Sequence, residues 1–316
     1  MSSKIKLLCA GSCGFNISNL VRYLLKNSTD YEIFSIDDIK PPTKLNTIYA
    51  NRAHQFQMGD ITNSHLINNI CEIERPDIII NGAEQSTVSN QELVKSNILG
   101  TQVLIDAAVK YKSRFIYLST YQVYGSLSTE NEPSWTEESP LNPQNSYSST
   151  KASGELLVKS AHFSQGLQYN ITRSCNNYGP RQSRQNLIPK IIGNVLDGIE
   201  VPIYNAGENV RSWCHVQDNC EAIKTIIEKG VINNTYNIGT NQEFSTIEVF
   251  NEVCNILGKG HELLKFEPNE TVKNNFRSSS NISKLKSFGW ESKFNFKKGG
   301  LESVIKWYNS NAWFLK

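Results

Sequence analysis

The stretch Lys4–Leu25, KIKLLCAGSCGFNISNLVRYLL, decides how the rest of this chain can fold. Its first part, Lys4–Ala10, is an apolar-rich run of strand length. Its last part, Phe15–Leu25, has apolar residues at helical spacing. Between them lies Gly11–Gly14, GSCG, which is typical of a tight turn. The stretch therefore predicts a strand, a glycine turn and a helix in immediate succession.

This arrangement is typical of a dinucleotide-binding unit. The glycines let the backbone approach a pyrophosphate, and the following helix offers N–H groups and a positive dipole end. The next predicted strand, Glu32–Ile36, leads into Asp37. A carboxylate there suits the two hydroxyls of an adenosine ribose and would repel a 2′-phosphate. Ile17 stands where a three-glycine fingerprint has its last glycine, so the glycines could also form an ordinary turn. The acidic residue after the second strand favours binding of NAD rather than NADP.

Strands and helices continue to alternate as far as residue 120. The apolar patterns predict strands at 54–57, 78–81 and 114–118 and helices at 64–74 and 91–111. This alternation predicts an α/β fold with a Rossmann-type doubly wound parallel sheet and right-handed crossovers. Ligands of such sheets bind beyond the carboxyl ends of the strands, which places five residues along one rim: Gly11, Asp37, Asp60, Ala83 and Thr120. Asp60 could read the adenine edge or help to cap the helix at 64–74.

The alternation loosens after Thr172–Arg173. The patterns there predict helices at 187–196, 216–228, 246–257 and 301–308, strands at 201–204 and 235–238, a turn-rich segment at 176–180, a polar loop at 208–213 and an irregular segment at 269–283. We predict that residues 1–180 form the NAD-binding domain and that roughly 212–240 return to it. Residues 181–316 would form mainly a smaller, interleaved lobe that closes over a substrate.

Composition narrows the class of protein. Of the 316 residues, 39% are hydrophobic and 20% are charged, and the net charge is +2. This balance argues against a disordered chain, a nucleic-acid binder and a membrane protein, and no apolar run approaches the roughly 18 residues needed to span a bilayer. The seven cysteines are scattered without C-x-x-C spacing, which predicts neither a zinc site nor disulfides. With no signal peptide evident at the N-terminus, we expect a cytoplasmic, metal-free protein.

A tyrosine and a lysine lie four residues apart just beyond the rim. Tyr147 and Lys151 begin a predicted helix, where positions i and i+4 share one face. The ordinary pKa of tyrosine is about 10. A nearby cation favours the phenolate and so lowers this value, which would suit a base that removes a proton from an alcohol. Such a pair is also common on solvated helices, but its place directly after the rim favours a catalytic role.

Taken together, these motifs resemble the extended short-chain dehydrogenase/reductases that act on nucleotide sugars, and among them the nucleotide-diphosphate-glucose 4,6-dehydratases. The resemblance covers nearly the whole chain. It rests on the segments Gly11–Phe15, Gly59–Ile61, Ser119–Thr120, Val123–Gly125, Tyr147 with Lys151, Asn176–Pro180, Leu187–Pro189, Asn209–Trp213, Tyr236–Gly239 and Phe288–Trp290.

The resemblance implies a role for each matching position. Tyr147 would be the base at the sugar C4 hydroxyl, Lys151 would lower its pKa and bind the nicotinamide ribose, and Thr120 would hold the same hydroxyl. The implied cofactor contacts are Gly11, Gly14, Phe15, Asn16, Asp37, Asp60, Ile61, Ala83, Tyr147 and Lys151. The implied substrate contacts are Thr120, Asn177, Asn186, Leu187 and, at the diphosphate, Arg211 and Arg277. The family also implies a homodimer joined through the helices near 91–111 and 146–162.

The implied reaction is an internal redox process. C4 is oxidised by NAD, water is lost across C5 and C6, and hydride returns to C6. Dehydratases usually place an Asp-Glu pair after the Ser-Thr motif as acid and base, but this chain has Tyr121 and Gln122 there. Glutamine cannot act as a general base, and tyrosine gives up a proton less readily than a carboxylic acid does.

This departure leaves three functions open. The first is a 4,6-dehydratase for UDP- or dTDP-glucose with an altered acid–base pair, in which Tyr121 would be the acid. The second is a nucleotide-sugar 4-epimerase or decarboxylase, which needs the chemistry of Tyr147 but no Asp-Glu pair. The third is a non-catalytic NAD- or nucleotide-binding protein that retains the scaffold.

Overall fold

The computed structural model describes residues 4–40, 46, 53–86, 88–268 and 276–316. The strands in these ranges are β1 (Ile5–Ala10), β2 (Tyr31–Asp37), β3 (His54–Met58), β4 (Ile78–Asn81), β5 (Arg114–Thr120), β6 (Tyr169–Ser174), β7 (Asn176–Tyr178), β8 (Val201–Tyr204), β9 (Val210–His215), β10 (Asn234–Ile238), β11 (Glu243–Ser245), β12 (Leu264–Glu267) and β13 (Arg277–Ser278). The α-helices are α1 (Phe15–Asn27), α2 (Ser64–Glu74), α3 (Asn90–Val94), α4 (Thr101–Tyr111), α5 (Ser146–Gln165), α6 (Leu187–Asp197), α7 (Val216–Lys229), α8 (Thr246–Leu257), α9 (Ser283–Lys286) and α10 (Gly300–Ser310).

Seven strands form a parallel sheet in the order β10-β6-β5-β4-β1-β2-β3. Side chains of α1 and α7 pack on one face of this sheet, and those of α2, α4 and α5 pack on the other. Central strands are covered on both faces, which explains why β4 is buried along its whole length. The predicted α/β fold with a Rossmann-type doubly wound sheet is confirmed.

The helix after the glycine turn packs closely on the sheet although Ile17 replaces a glycine. Ile17 is fully enclosed, and a Cβ added to Gly82 would lie 2.4 Å from its side chain. The space that a third glycine would provide on the helix is therefore provided by Gly82, directly after β4. This exchange explains how the incomplete fingerprint is compatible with the fold.

The later part of the chain builds a smaller lobe. Strand β9 pairs with β11, β13 and β7, while β8 pairs with β12. Helices α6, α8 and α10 contribute a separate apolar core over these strands. Strand β10 instead extends the main sheet beside β6, and α7 packs against α1. The chain thus passes from the main sheet to the small lobe and back.

Several predicted elements differ from those observed. The predicted polar loop at 208–213 is largely strand β9, and the turn-rich segment at 176–180 contains β7. The predicted helix at 91–111 comprises α3, a π-helical turn at Lys95–Gly100 and α4. Asn63, rather than Asp60, caps α2 by accepting a hydrogen bond from the backbone of Leu66. Of the segment predicted to be irregular, residues 269–275 lie outside the described ranges. No helix in the described ranges has the length and apolarity to cross a bilayer.

Candidate active site

The start of α1, directly after the glycine turn, presents backbone donors to a cavity. Gly11 has a φ of +78°, which L side chains rarely adopt, and a Cβ added there would lie 2.5 Å from the backbone of Ala83. Gly14 precedes α1 and has no side chain with which to cap the first N–H groups of the helix. These N–H groups and the positive end of the helix dipole suit an anionic pyrophosphate.

Asp37 is fixed at the end of β2 beside this turn. One carboxylate oxygen accepts a hydrogen bond from the Cys13 N–H at 2.9 Å, and the other accepts one from the Ile39 N–H at 2.8 Å. Burial raises the pKa of Asp37, and the hydrogen bond from Cys13 opposes that shift. The carboxylate lines the cavity in the position where ribose hydroxyls would be bound.

Asp60 lines the same end of the cavity. Its Oδ1 accepts hydrogen bonds from the backbone and hydroxyl of Thr62, and its Oδ2 lies 3.0 Å from Lys95 Nζ. Burial alone would raise the pKa of Asp60, but these partners outweigh burial, so its pKa is lowered. The carboxylate is therefore held ionised and oriented near the adenosine end of the site.

The cavity has a volume of about 450 Å³, which is typical of small-molecule sites. Most of the predicted site residues line it, namely Gly11, Gly14, Phe15, Asn16, Asp37, Asp60, Ile61, Ala83, Thr120, Gln122, Tyr147, Asn177, Asn186 and Leu187. Four of the predicted site residues are not in its lining: Tyr121, Lys151, Arg211 and Arg277. The structure therefore brings the two halves of the chain together around one site, and these four residues lie outside its lining.

Tyr147 and Lys151 meet at a third residue, Glu84. The Tyr147 hydroxyl donates a hydrogen bond to Glu84 Oε2 at 3.0 Å. Lys151 Nζ lies 2.9 Å from the same oxygen and donates a hydrogen bond to the Leu118 carbonyl at 2.6 Å. The ammonium group also lies 4.4 Å from the centre of the Tyr117 ring, and the Lys151 side chain is only 1% exposed. The carboxylate of Glu84 thus bridges the two residues.

This bridge contradicts the expected effect of Lys151 on Tyr147. Burial and the negative charge of Glu84 raise the pKa of Tyr147 well above its ordinary value. Burial would lower the pKa of Lys151, but the nearby carboxylate outweighs it, so that pKa is raised as well. The positive charge of Lys151 is therefore offset by Glu84, and the structure favours the protonated form of Tyr147 rather than the phenolate.

The residues in place of the usual Asp-Glu pair lie in a 3-10 turn after β5. Gln122 faces the cavity, and its Oε1 accepts a hydrogen bond from Asn145 Nδ2 at 3.5 Å. Tyr121 is buried, donates a hydrogen bond to Asn176 Oδ1 at 2.9 Å and stacks on Trp135. Burial raises the pKa of Tyr121. A role for Tyr121 as an acid would require its hydroxyl to leave Asn176 and remains a prediction.

The two arginines expected at the diphosphate have other contacts in this structure. Arg277 forms a forked ion pair with Glu243, with N–O distances of 2.6 and 2.9 Å. Arg211 donates to the carbonyls of Val210 and Phe276. Neither side chain lines the cavity, so diphosphate binding by Arg277 would require it to exchange Glu243 for the substrate. That assignment remains a prediction.

The residues around the cavity fit an NAD molecule. Gly11 leaves space that a Cβ would fill, and Asp37 offers carboxylate oxygens near the start of α1. Asn177 donates to Asn16 Oδ1 at 3.1 Å, while its own Oδ1 is buried without a hydrogen-bond partner in the described part of the chain. An unpartnered acceptor on a residue that lines the cavity is suited to a ligand N–H or hydroxyl group.

Comparison with known proteins agrees with this geometry. Residues 7–239 match the pattern that defines the NAD dependent epimerase/dehydratase family. The chain belongs to this family. It is 35% identical to the low-salt glycan biosynthesis protein Agl12 of Haloferax volcanii, over 96% of this chain and 98% of that protein. It is 33% identical to a dTDP-glucose 4,6-dehydratase of Haemophilus influenzae, over 98% of this chain and 99% of the relative.

Solved structures of the epimerase/dehydratase family share the fold throughout. The dTDP-glucose 4,6-dehydratase of Bacillus anthracis, solved in complex with NAD, is 32% identical with a TM-score of 0.92, covering 98% of both chains. A UDP-glucose 4-epimerase of Thermotoga maritima, solved with UDP-glucose, is 26% identical with a TM-score of 0.89, covering 98% of this chain and 100% of the other. The dehydratase is thus the more similar of these two structures, and NAD is the cofactor of the family.

Glu84 directly follows Ala83, which the sequence places on the rim, but no local pattern indicates its contacts with Tyr147 and Lys151. It lies 63 positions from Tyr147, and no spacing rule connects the two. Sequence reasoning also missed three residues that line the cavity, Cys175, Trp213 and Phe314, which are far from the glycine turn in sequence. Their side chains gave no polar signal, and only the folded chain brings them to the site.

Proposed function

We propose that this protein is an NAD-dependent nucleotide-diphosphate-glucose 4,6-dehydratase, which converts UDP- or dTDP-glucose to the 4-keto-6-deoxy sugar and water. One observation carries the proposal: Tyr147 and Thr120 line the same cavity as the glycine turn and Asp37. Residues suited to the oxidation of an alcohol and residues suited to the binding of a dinucleotide therefore line one cavity. Similarity to dTDP-glucose 4,6-dehydratases over nearly the whole chain favours this reaction over its alternatives.

Each group of residues has its own task. Bound NAD supplies the hydride acceptor for C4 and the hydride donor for C6. The cofactor is held by the turn at Gly11–Gly14 and by Asp37, and Lys151, which lies outside the cavity lining, would need to move to reach its nicotinamide ribose. Tyr147 takes the proton of the C4 hydroxyl, which Thr120 orients by hydrogen bonding. The nucleotide sugar is bound by Asn177, Asn186, Leu187, Arg211 and Arg277, whose guanidinium groups suit a diphosphate.

Elimination of water proceeds without a titratable residue at position 122. The C4 ketone makes the C5 hydrogen acidic, so elimination continues, with the loss of one general-base contribution of about 10²–10⁴-fold in rate. Tyr121 is the proposed acid at the C6 hydroxyl, after rotation away from Asn176. The absence of an Asp-Glu pair is also the observation that keeps a 4-epimerase or decarboxylase as the second candidate. A non-catalytic protein is disfavoured because Thr120, Tyr147 and Lys151 are all present.

The proposed domain roles follow the course of the chain. Residues 1–180, with roughly 212–240, hold the cofactor, and 181–316 hold mainly the nucleotide sugar. We propose that two subunits pair through the helices near 91–111 and 146–162. Exposed apolar side chains on these helices, among them Leu99, Leu156 and Phe163, support the pairing. A cytoplasmic location is supported by seven buried cysteine thiols, which suit a reducing compartment.

The test is a product assay with the purified protein and UDP-, dTDP- and GDP-glucose. We expect a product that has lost one water, recognised by mass and by its 4-keto group, from the uridine or thymidine sugar. A C4 epimer of unchanged mass would establish the second candidate. The matched variant Tyr147→Phe should bind NAD but give no product, and turnover by this variant would remove Tyr147 from the proposal.

A further inference from the structure

The hydroxyl proton of Tyr147 points at a carboxylate. Tyr147 donates to Glu84 Oε2 at 3.0 Å, and Lys151 Nζ lies 2.9 Å from the same oxygen. Glu84 lines the cavity and its side chain is 32% exposed, whereas Lys151 lies behind the wall at 1%. Tyr147 and Glu84 therefore both face the cavity, and the Glu84 carboxylate links the Tyr147 hydroxyl to the enclosed Lys151 ammonium group.

No other carboxylate of the described cavity lining belongs to this end of the site. Asp37 and Asp60 are held by the backbone contacts described above, and Asp38 is paired with Lys40 at 2.7 Å. These three lie after β2 and β3, on the adenosine side. The titratable groups around Tyr147 are Glu84, Lys151, Tyr117 and Tyr121, and of these only Glu84 is a carboxylate.

We propose that Glu84 is the final acceptor of the proton that leaves the C4 hydroxyl of the substrate, which reaches it through Tyr147. The inference rests on the proposed function, because it concerns the first step of that reaction. Tyr147 touches the substrate, whereas Glu84 acts through Tyr147 and positions and receives its proton. Lys151 stabilises the Glu84 carboxylate before the proton arrives.

The step balances in atoms and charge. The O–H bond at C4 breaks and a new O–H bond forms on Tyr147, while the original Tyr147 O–H bond breaks and the proton binds Glu84 Oε2. Bound NAD would supply the acceptor for the C4 hydrogen and its two electrons, which would leave C4 as a ketone. Over a full turnover C5 loses and regains one proton. Tyr121 protonates the hydroxide that leaves C6, and the proton given up by Glu84 replaces the one that Tyr121 donated, so the net product is one water.

The relay removes the need for a free phenolate. In this structure burial and the adjacent carboxylate raise the pKa of Tyr147, so the phenolate is disfavoured at neutral pH. A hydroxyl that passes its own proton to Glu84 as it receives another is never ionised for long. The geometry that opposes a tyrosinate base is thus the geometry that a two-proton relay requires.

The test is the Glu84→Gln variant, which keeps the size and an oxygen acceptor but cannot take a proton. We expect the reduction of bound NAD to slow by about 10²–10⁴-fold. The rate is measured by absorbance after the protein is mixed with the nucleotide sugar. Substrate affinity should change by less than about threefold, because Glu84 does not contact the substrate in this scheme. In the variant Tyr147 has no acceptor for its own proton, so the rate should rise toward alkaline pH as Tyr147 ionises.

Two further proteins and one measurement separate the relay from a structural role. Glu84→Asp should restore part of the rate, and Tyr147→Phe combined with Glu84→Gln should be no slower than Tyr147→Phe alone. Without substrate, the ultraviolet titration of Tyr147, read against the Tyr147→Phe protein, should shift to lower pH in Glu84→Gln. That shift reports the contact itself and does not depend on turnover.

The outcomes that overturn the inference are specific. A Glu84→Gln protein that reduces NAD at the wild-type rate, or faster because Lys151 is released to stabilise a phenolate, would exclude Glu84 as the acceptor. A Glu84→Gln rate that does not rise toward alkaline pH would exclude it as well. If wild-type protein reduces no NAD with any nucleotide sugar, the proposed function fails and the inference fails with it. Reduction by wild type and variant alike overturns only the inference.

Discussion

At the scale of single residues, Gln122 decides how water is eliminated. Its amide faces the cavity but carries no titratable proton. Gln122→Glu would place a base at this position, and we expect the rate of dehydration to stay unchanged or to rise by up to about 10²-fold. The measurement is single-turnover formation of the 4-keto-6-deoxy product. Gln122→Met, of similar size and also unable to titrate, is the matched control and should not raise the rate. Loss of activity in a folded Gln122→Glu protein would show that the amide has a positive role.

His215 should make stability depend on pH. It is buried, accepts a hydrogen bond from the backbone of Gln217 at the start of α7 and stacks on Phe294 with 3.9 Å between ring centres. Burial lowers its pKa from 6.5 to about 4. The unfolded chain binds this proton more readily than the folded chain does. The contribution of His215 to the free energy of unfolding is therefore complete above pH 6.5, and about 3 kcal/mol of it is lost as the pH falls toward 4.

Urea unfolding at several pH values checks this. His215→Asn can still cap α7 but cannot titrate, so its stability should fall less across the same window. His65→Asn, at an exposed position, is the control and should keep the wild-type pH dependence. Equal slopes for wild type and His215→Asn would contradict the prediction.

At the scale of elements, the turn between β1 and α1 should tolerate no side chain at Gly11. An alanine Cβ there would meet the backbone of Ala83 at 2.5 Å as well as an unfavourable φ. Gly198, which ends α6 with a φ of +69°, has nothing within 4 Å of an added Cβ, so Gly198→Ala isolates the conformational cost. We expect Gly198→Ala to cost about 1 kcal/mol in stability with NAD affinity unchanged. Gly11→Ala should lower the free energy of unfolding by more than Gly198→Ala does, as measured by denaturant unfolding. It should also weaken NAD binding at least tenfold, as measured by calorimetry. Equal effects of the two changes would refute the close approach.

The elements also show what sequence could and could not predict. Strand β1, the glycine turn and α1 were predicted because each has a local signature: a short apolar run, two glycines and helical spacing. Strand β9 was interpreted as a loop because Arg211 and Ser212 are polar, and its partners β7, β11 and β13 come from distant segments. The contact of Tyr147 with Glu84 was missed for the same reason. Local patterns predict elements, whereas the pairing of small strands and of site residues depends on the whole fold.

At the scale of the whole molecule, the cavity depends on both parts of the chain. The main sheet supplies Gly11 and Asp37, while α6 begins at Leu187 and the C-terminal turn supplies Phe314. The same helix α5 that carries Tyr147 into this cavity has an exposed outer face. A change on that outer face can therefore affect the site through the position of the helix.

The outer face of α5 leads to a prediction about assembly. Leu156 and Phe163 lie seven positions apart on this helix and are 60% and 85% exposed, which places two apolar side chains on one face in water. The adjacent π-helical turn adds Leu99, which is 50% exposed. We expect wild-type protein to sediment as a dimer at micromolar concentration because pairing would bury these side chains.

Leu156→Lys combined with Phe163→Lys should shift the protein to monomer in sedimentation experiments, because buried charges at the centre of an interface are costly. Phe266→Lys is the matched control. Phe266 is 57% exposed but lies on β12 in the small lobe, so this variant should remain dimeric. A monomeric wild type, or a double-lysine variant that remains dimeric, would contradict pairing through α5.

Pairing should also affect the reaction, because Tyr147 and Lys151 lie on α5. If the dimer holds this helix in place, the monomeric variant should lose part of its rate of NAD reduction, while Phe266→Lys should retain the full rate.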